Sequence, residues 1–203
     1  MKLAIDEGIR ERLVSSAMPL FAEKGFCGTS VREIAKRAGV NPASLSYYFG
    51  GKEGLYKAVL ESLWEEVDQH FSLLAAEGLR PMERIERFVR GFFSLHAANP
   101  ALVRFLNREL ADPTSCFETV LIPRVRKVAG LLRGAIVEAK DEGTLREGVD
   151  PEAAAVLLAS MSNYVFLVGP LARKIFLGLD KLPEGLPDLI LEVFRNGVAT
   201  HEA

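Results

Sequence analysis

The stretch SVREIAKRAGVNPASLSYYFGG, residues 30–51, decides the fold. Ser30 can cap a helix with its hydroxyl, and Glu33, three residues on, can reach back to the cap's own amide, a pairing that marks a helix start. Val31, Ile34, Ala35 and Ala38 give that helix one apolar face, and Gly39 supplies the left-handed backbone on which it ends. Val40 plugs the turn. Asn41 is a good N-cap and Pro42 suits the first helical position, so a second short helix is predicted through Phe49, closed by Gly50 and Gly51. Two short helices across a glycine turn form a unit whose second helix can enter a DNA major groove.

Helical spacing continues on both sides of this unit, and no alternating strand pattern occurs. Upstream, a helix is predicted from Asp6 to Lys24, with Ile9, Leu13, Ala17, Leu20 and Phe21 inward, a kink at Pro19 and a cap at Gly25. Downstream, a long helix from Lys52 carries Leu55, Tyr56, Val59, Leu63, Trp64 and Phe71 and ends near Ala76. Further helices are predicted over residues 82–97, 101–111, 116–142, 151–168, 171–178 and 187–200, separated by Pro, Gly and Asp. The expected fold is all-α: an N-terminal three-helix domain, 1–51, joined by a long helix to a C-terminal helical domain, 52–203.

With 203 residues, 49% hydrophobic and 26% charged, the chain has the composition of a globular protein rather than a disordered or collagen-like one. No uninterrupted apolar run approaches the roughly 20 residues of a membrane span, and the N-terminus lacks a secretory pattern, so a cytoplasmic protein without a membrane partner is expected. Cys27 and Cys116 stand far apart without a CxxC partner, which argues against disulfides and thiolate metal sites. The first 60 residues carry nine Lys and Arg against six Asp and Glu, while the rest carries 16 against 21. That asymmetry fits one end of the molecule approaching nucleic acid.

The segment FAEKGFCGTSVREIAKRAGVNPASLSYYFGGKEGLYKAVL, residues 21–60, resembles the DNA-binding domain of the TetR family of transcriptional regulators. The shared features are its aromatic-Ala-x-x-Gly-aromatic start, Ala-Gly-Val turn, Tyr-Phe third helix and Lys-Glu-x-Leu fourth helix. NPALVRFLNRELADPT, residues 99–114, is similar to the effector domain of the CecR-like branch of that family. The resemblance implies a homodimer on a palindromic double-stranded DNA operator, most often a repressor released by a small-molecule effector held in the C-terminal domain.

In the third helix Leu45 and Phe49 should face inward, which leaves Asn41, Ala43, Ser44, Ser46 and Tyr47 toward DNA. Thr29, Ser30, Tyr48 and Lys52 are expected to clamp phosphates through hydroxyls, amides and one charge. Tyr48 could instead pack on the fourth helix, and Lys52 could simply begin it. Many family members have Tyr at the place of Ser46, so base preference does not carry over.

In the second domain, His96 and Glu109 lie on otherwise apolar faces, where a buried polar group needs a partner. That partner is either an effector, with Phe105, Asn107, Cys116, Phe117, Asn163 and Tyr164 as further lining candidates, or an internal one, for instance Arg104 or Arg124 for Glu109. Leu157 and Met161 on one wide apolar helix, with Ile190 and Phe194 on the last, are candidates for dimer contacts. The last helix could also cap a single chain's core.

An enzyme is disfavoured because His70, His96 and His201 are scattered and no HExxH, GxSxG, P-loop or GxGxxG pattern occurs. Neither a cofactor nor a metal is implied. The remaining alternatives are a DNA-binding protein of this fold that needs no effector and, further off, a helical enzyme or carrier.

Overall fold

The computed structural model describes residues 2–72, 78–175 and 183–198, without the side chains of residues 2–5, 66 and 72. Among them no strand occurs. The helices are α1 (Lys2–Gly28), α2 (Val31–Ala38), α3 (Pro42–Phe49), α4 (Lys52–Ser72), α5 (Pro81–Ala98), α6 (Pro100–Ala111), α7 (Ile122–Asp141), α8 (Pro151–Ile175) and α9 (Leu186–Val198). The expected ends of the fourth and last helices, at Ala76 and Thr200, and residues 176–178 of the segment 171–178, lie outside the described residues.

Three elements differ from the sequence expectation. The helix α1 continues past the cap predicted at Gly25 to Gly28, with its helical angles interrupted at Gly25 (φ 74°, ψ 178°). Residues 116–142 do not form one α-helix: Phe117–Leu121 is a π-helical turn that leads straight into α7. Finally, α8 runs through Pro170, at which a break was expected. Its predecessor is Gly169, and a residue without Cβ relieves the clash that a proline ring inflicts on the residue before it.

That continuity makes α8 longer than the apolar segment read from the sequence. By length and composition α8 is long and apolar enough to span a bilayer, with a mean hydropathy of 1.6 over 18 residues, because Ser160, Ser162 and Asn163 interrupt it without charge. Only 28% of that stretch is buried. Much apolar surface is therefore left on α8.

The chain groups into two compact units: residues 1–66 with 99–124, and residues 67–98 with 125–203. The first combines α1 to α3 and most of α4 with α6 and the π-helical turn, around Leu13, Phe21, Ile34, Leu45, Leu60 and Phe105. Phe21 meets the Tyr56 ring edge-on at 4.8 Å, and Tyr56 lies 5.4 Å from Phe105, so an aromatic cluster ties α1, α4 and α6 together. The second unit packs α5 against α8 and α9, with α7, around Ile85, Phe88, Leu132, Ile136, Leu158 and Phe194.

Candidate nucleic-acid interface and interior polar sites

Local chemistry builds the helix-turn-helix as the sequence prescribes, with one exchange. The Ser30 hydroxyl accepts a hydrogen bond from the Glu33 amide at 3.1 Å. The Glu33 carboxylate, however, pairs with Lys24 at the end of α1 instead of completing the capping box. The Lys24 ammonium competes with the cap's backbone amide for the carboxylate there, and Glu33 in turn holds the Lys24 ammonium above its ordinary pKa. Gly39 takes the left-handed φ of 66° and the Val40 amide donates to the Ala35 carbonyl at 3.0 Å, closing the turn. Asn41 accepts from the Ala43 amide at 2.8 Å and starts α3.

Leu45 is fully enclosed, whereas Phe49 is half-buried with the Arg10 guanidinium 4.8 Å above its ring. The opposite face of α3 stands open. Tyr47 is 78% exposed, Asn41, Ala43 and Ser46 are exposed with it, and Ser44 is half-buried. Ser30 is exposed at the start of α2, whose Arg32, Lys36 and Arg37 also face outward.

Three of the expected phosphate clamps are committed elsewhere. Thr29 is 1% exposed and its hydroxyl reaches the Gly25 carbonyl at 2.8 Å. The Lys52 ammonium donates to the carbonyls of Phe26 (2.9 Å) and Thr29 (3.0 Å) and sits 4.3 Å over the Phe26 ring. Both groups finish the carbonyl end of α1, which the bend at Gly25 leaves short of donors. The Tyr48 hydroxyl donates to Asp6 at 2.6 Å, which raises its pKa, while the Tyr48 carbonyl accepts from Arg10 at 2.9 Å. Tyr48 thus braces α3 on α1, not on α4.

The interior candidates divide between the two units. In the first, Phe105, Glu109 and Cys116 are buried, while Asn107 and Phe117 are half-buried. Glu109 is fully enclosed, and its partners are neither Arg104 nor Arg124 in the bonds that hold it. Tyr56 donates to it at 2.5 Å, and the Thr114 hydroxyl and amide donate at 3.0 and 3.3 Å. Burial and this bond push the Tyr56 phenol strongly upward, and burial raises the Cys116 thiol. A cavity of about 250 Å³ opens beside the group, lined by Phe26, Cys27, Tyr56, Arg108, Glu109 and Thr114. Sequence could not pair Tyr56 with Glu109, 53 positions apart. Tyr56→Phe is expected to lower the unfolding free energy by about 1 to 3 kcal/mol, since it leaves a buried carboxyl group short of a donor. Urea titration checks this; an unchanged midpoint would mean the bond is worth nothing.

In the second unit, His96 is 3% exposed and Asn163 is half-buried beside it, whereas Tyr164 is 59% exposed and points away from any interior. Of the dimer candidates, Leu157 is 62% exposed and Met161 is half-buried. Ile190 (6%) and Phe194 (3%) are buried inside their own chain, because α9 turns that side of its stripe toward α5 and α8. Their neighbours Leu189 and Val193 carry the outward apolar surface of α9 instead.

An all-helical chain with a capped helix-turn-helix and an open third helix belongs to the class of DNA-binding regulators. Residues 13–59 match the family described as "Bacterial regulatory proteins, tetR family", and residues 81–184 match "Tetracyclin repressor-like, C-terminal domain". The chain is 26% identical over 197 residues to the HTH-type transcriptional repressor SCO4008 of Streptomyces coelicolor, covering 93% of this chain and 94% of that one. It is 32% identical over 127 residues to the HTH-type transcriptional dual regulator CecR of Shigella flexneri, a match that spans 56% of each protein. Among solved structures, the ketosteroid transcriptional regulator KstR2 of Mycobacterium tuberculosis shares the fold, with a TM-score of 0.71, 18% identity and 95% of each chain covered. The chain belongs to the TetR family of helix-turn-helix transcriptional regulators. Members of that family are soluble regulators that bind DNA operators, typically as homodimers, and not enzymes.

Proposed function

We propose that this protein is a cytoplasmic repressor that grips a palindromic operator as a homodimer and lets go when a small-molecule effector binds its second unit. The observation that carries the reading is the open face of α3, where Tyr47 stands 78% exposed between exposed Ala43 and Ser46. An exposed tyrosine on a rigid, capped helix offers a ring and a hydroxyl to a partner, and tyrosine side chains are among those that contact the DNA backbone. The end-to-end likeness to SCO4008, which is named a repressor, supports repression over activation. Two copies would present their α3 helices about one DNA turn apart, roughly 34 to 36 Å. The apolar surface left on α8 and α9 supports the pairing.

Selection of bound genomic fragments with the purified protein, followed by gel shift on the enriched sequence, tests the proposal; a set of fragments without a shared palindrome would overturn it. Tyr47→Ala is expected to weaken binding to the selected site roughly tenfold, the size of one lost contact. Its circular dichroism should match the parent, since the side chain touches little of its own chain. Retained affinity would move the DNA face off α3.

A further inference from the structure

We propose that His96 is the polar anchor of the effector site, and that this site takes an uncharged, ring-bearing apolar molecule carrying one hydroxyl or carbonyl group; the inference rests on the effector-release reading above. His96 is 3% exposed, and neither Nδ1 nor Nε2 has a hydrogen-bond partner. Asn163 and the Phe92 backbone lie close, yet neither completes a bond to the ring. Buried polar atoms in native proteins are almost always satisfied, so two orphaned nitrogens on one side chain mark a place where something else binds. In the first unit the contrast is plain: buried Glu109 is held by Tyr56 and Thr114 and asks for nothing more.

The surroundings define the ligand's body. The imidazole lies 4.0 Å from the Phe92 ring and 4.4 Å from the Phe166 ring, and Phe166 is in turn 4.9 Å from Phe93. All three phenylalanines are only half-buried, so aromatic surface remains reachable beside a histidine that is not. Such a lining favours a flat apolar ring by stacking and edge contacts. The charge of the ligand follows from that of the anchor. Burial pushes the His96 pKa down to about 4, and no charged side chain contributes to its shift, so at neutral pH the ring offers one N–H donor and one bare acceptor. A hydroxyl can answer either nitrogen and a carbonyl the N–H. A carboxylate would be stripped of water to face a neutral ring.

The test uses the full chain, wild type and His96→Phe, with naphthalene, 2-naphthol and 2-naphthoate as probes of one shape at neutral pH. Wild type should bind 2-naphthol about tenfold more tightly than naphthalene, the value of one net hydrogen bond, and more tightly than 2-naphthoate. His96→Phe keeps an aromatic ring beside Phe92 and Phe166 and should bind 2-naphthol and naphthalene within about twofold of each other. Without ligand it should melt at the same or a higher temperature, as expected when an unsatisfied polar group that serves binding is removed. A melting point several degrees lower would make His96 a structural residue and overturn the proposal. So would an equal 2-naphthol preference in both proteins, tightest binding of 2-naphthoate, or no binding of any probe. If 2-naphthol binds through His96 but operator DNA stays bound, the site stands and the release reading falls; if a cell extract releases the DNA while no probe binds, the reverse holds.

Discussion

Acidification from pH 6.5 to 4 is expected to cost the wild-type protein about 3 kcal/mol more than it costs His96→Phe. The imidazole has an ordinary pKa of 6.5 when the chain is unfolded, and burial lowers it to about 4 in the folded state. Between those values the unfolded chain binds a proton that the folded one refuses. Stability is therefore unaffected above about pH 6.5, falls as the pH drops through the window, and levels off below about 4. Two and a half pH units at about 1.4 kcal/mol each set a ceiling of about 3.5 kcal/mol, and partial titration at the two ends of the window brings the expected loss to about 3. Carboxylates in ion pairs also lose stability in acid, but Glu33, Glu83 and Asp188 are partnered on the surface and are the same in both proteins. The difference between the two proteins isolates the histidine. Urea titrations of both at three pH values across the window check it. Parallel loss in both would mean that water reaches the ring and charges it in place.

How much of this was legible from sequence depends on the range of the interaction. The helix-turn-helix was readable residue by residue because its determinants are local: Ser30 to Glu33, Gly39 at the turn, Asn41 to Ala43. Thr29 and Lys52, expected to face phosphates, are bonded to carbonyls beside the bend at Gly25, and that bend has no signature in sequence beyond a glycine. Tyr48 was ambiguous for the same reason, since Asp6 lies 42 positions away. On α9 the apolar stripe was readable but wider than one interface needs. Only docking on α5 and α8 decides that Phe194 turns in and Val193 out. His96 was singled out as a polar residue on an apolar stripe. That it lacks a partner depends on apolar rings, Phe92 and Phe166, packing beside it, a tertiary fact.

Leu157→Asp is expected to leave the subunit folded, make it monomeric at micromolar concentration and lower operator affinity at least about a hundredfold. Leu157, Tyr164 and Leu171 recur every seven residues, so they lie along one line of α8, and all are more than half exposed. Leu189 and Val193, four residues apart on α9, are exposed as well, and α9 packs against α8. The excess thus lies on two helices that pack together, the surface we propose a second copy covers. A two-fold interface contains each residue twice, so one substitution introduces two carboxylates. At several kcal/mol for each unpaired buried charge, the combined cost is of the order of 6 to 10 kcal/mol, enough to bring a nanomolar dimer above micromolar dissociation. Each released head then binds its half-site without the effective concentration supplied by its twin, a loss of about 10² to 10⁴. Sedimentation at micromolar concentration and gel shift read the two effects, and circular dichroism confirms the fold. Phe194→Asp provides the contrast: its side chain is interior to the single chain, so the same change there should destroy the fold instead of the assembly. A Leu157→Asp protein that still sediments as a dimer would place the interface off this face of α8, and the exposed line along it would then need another partner.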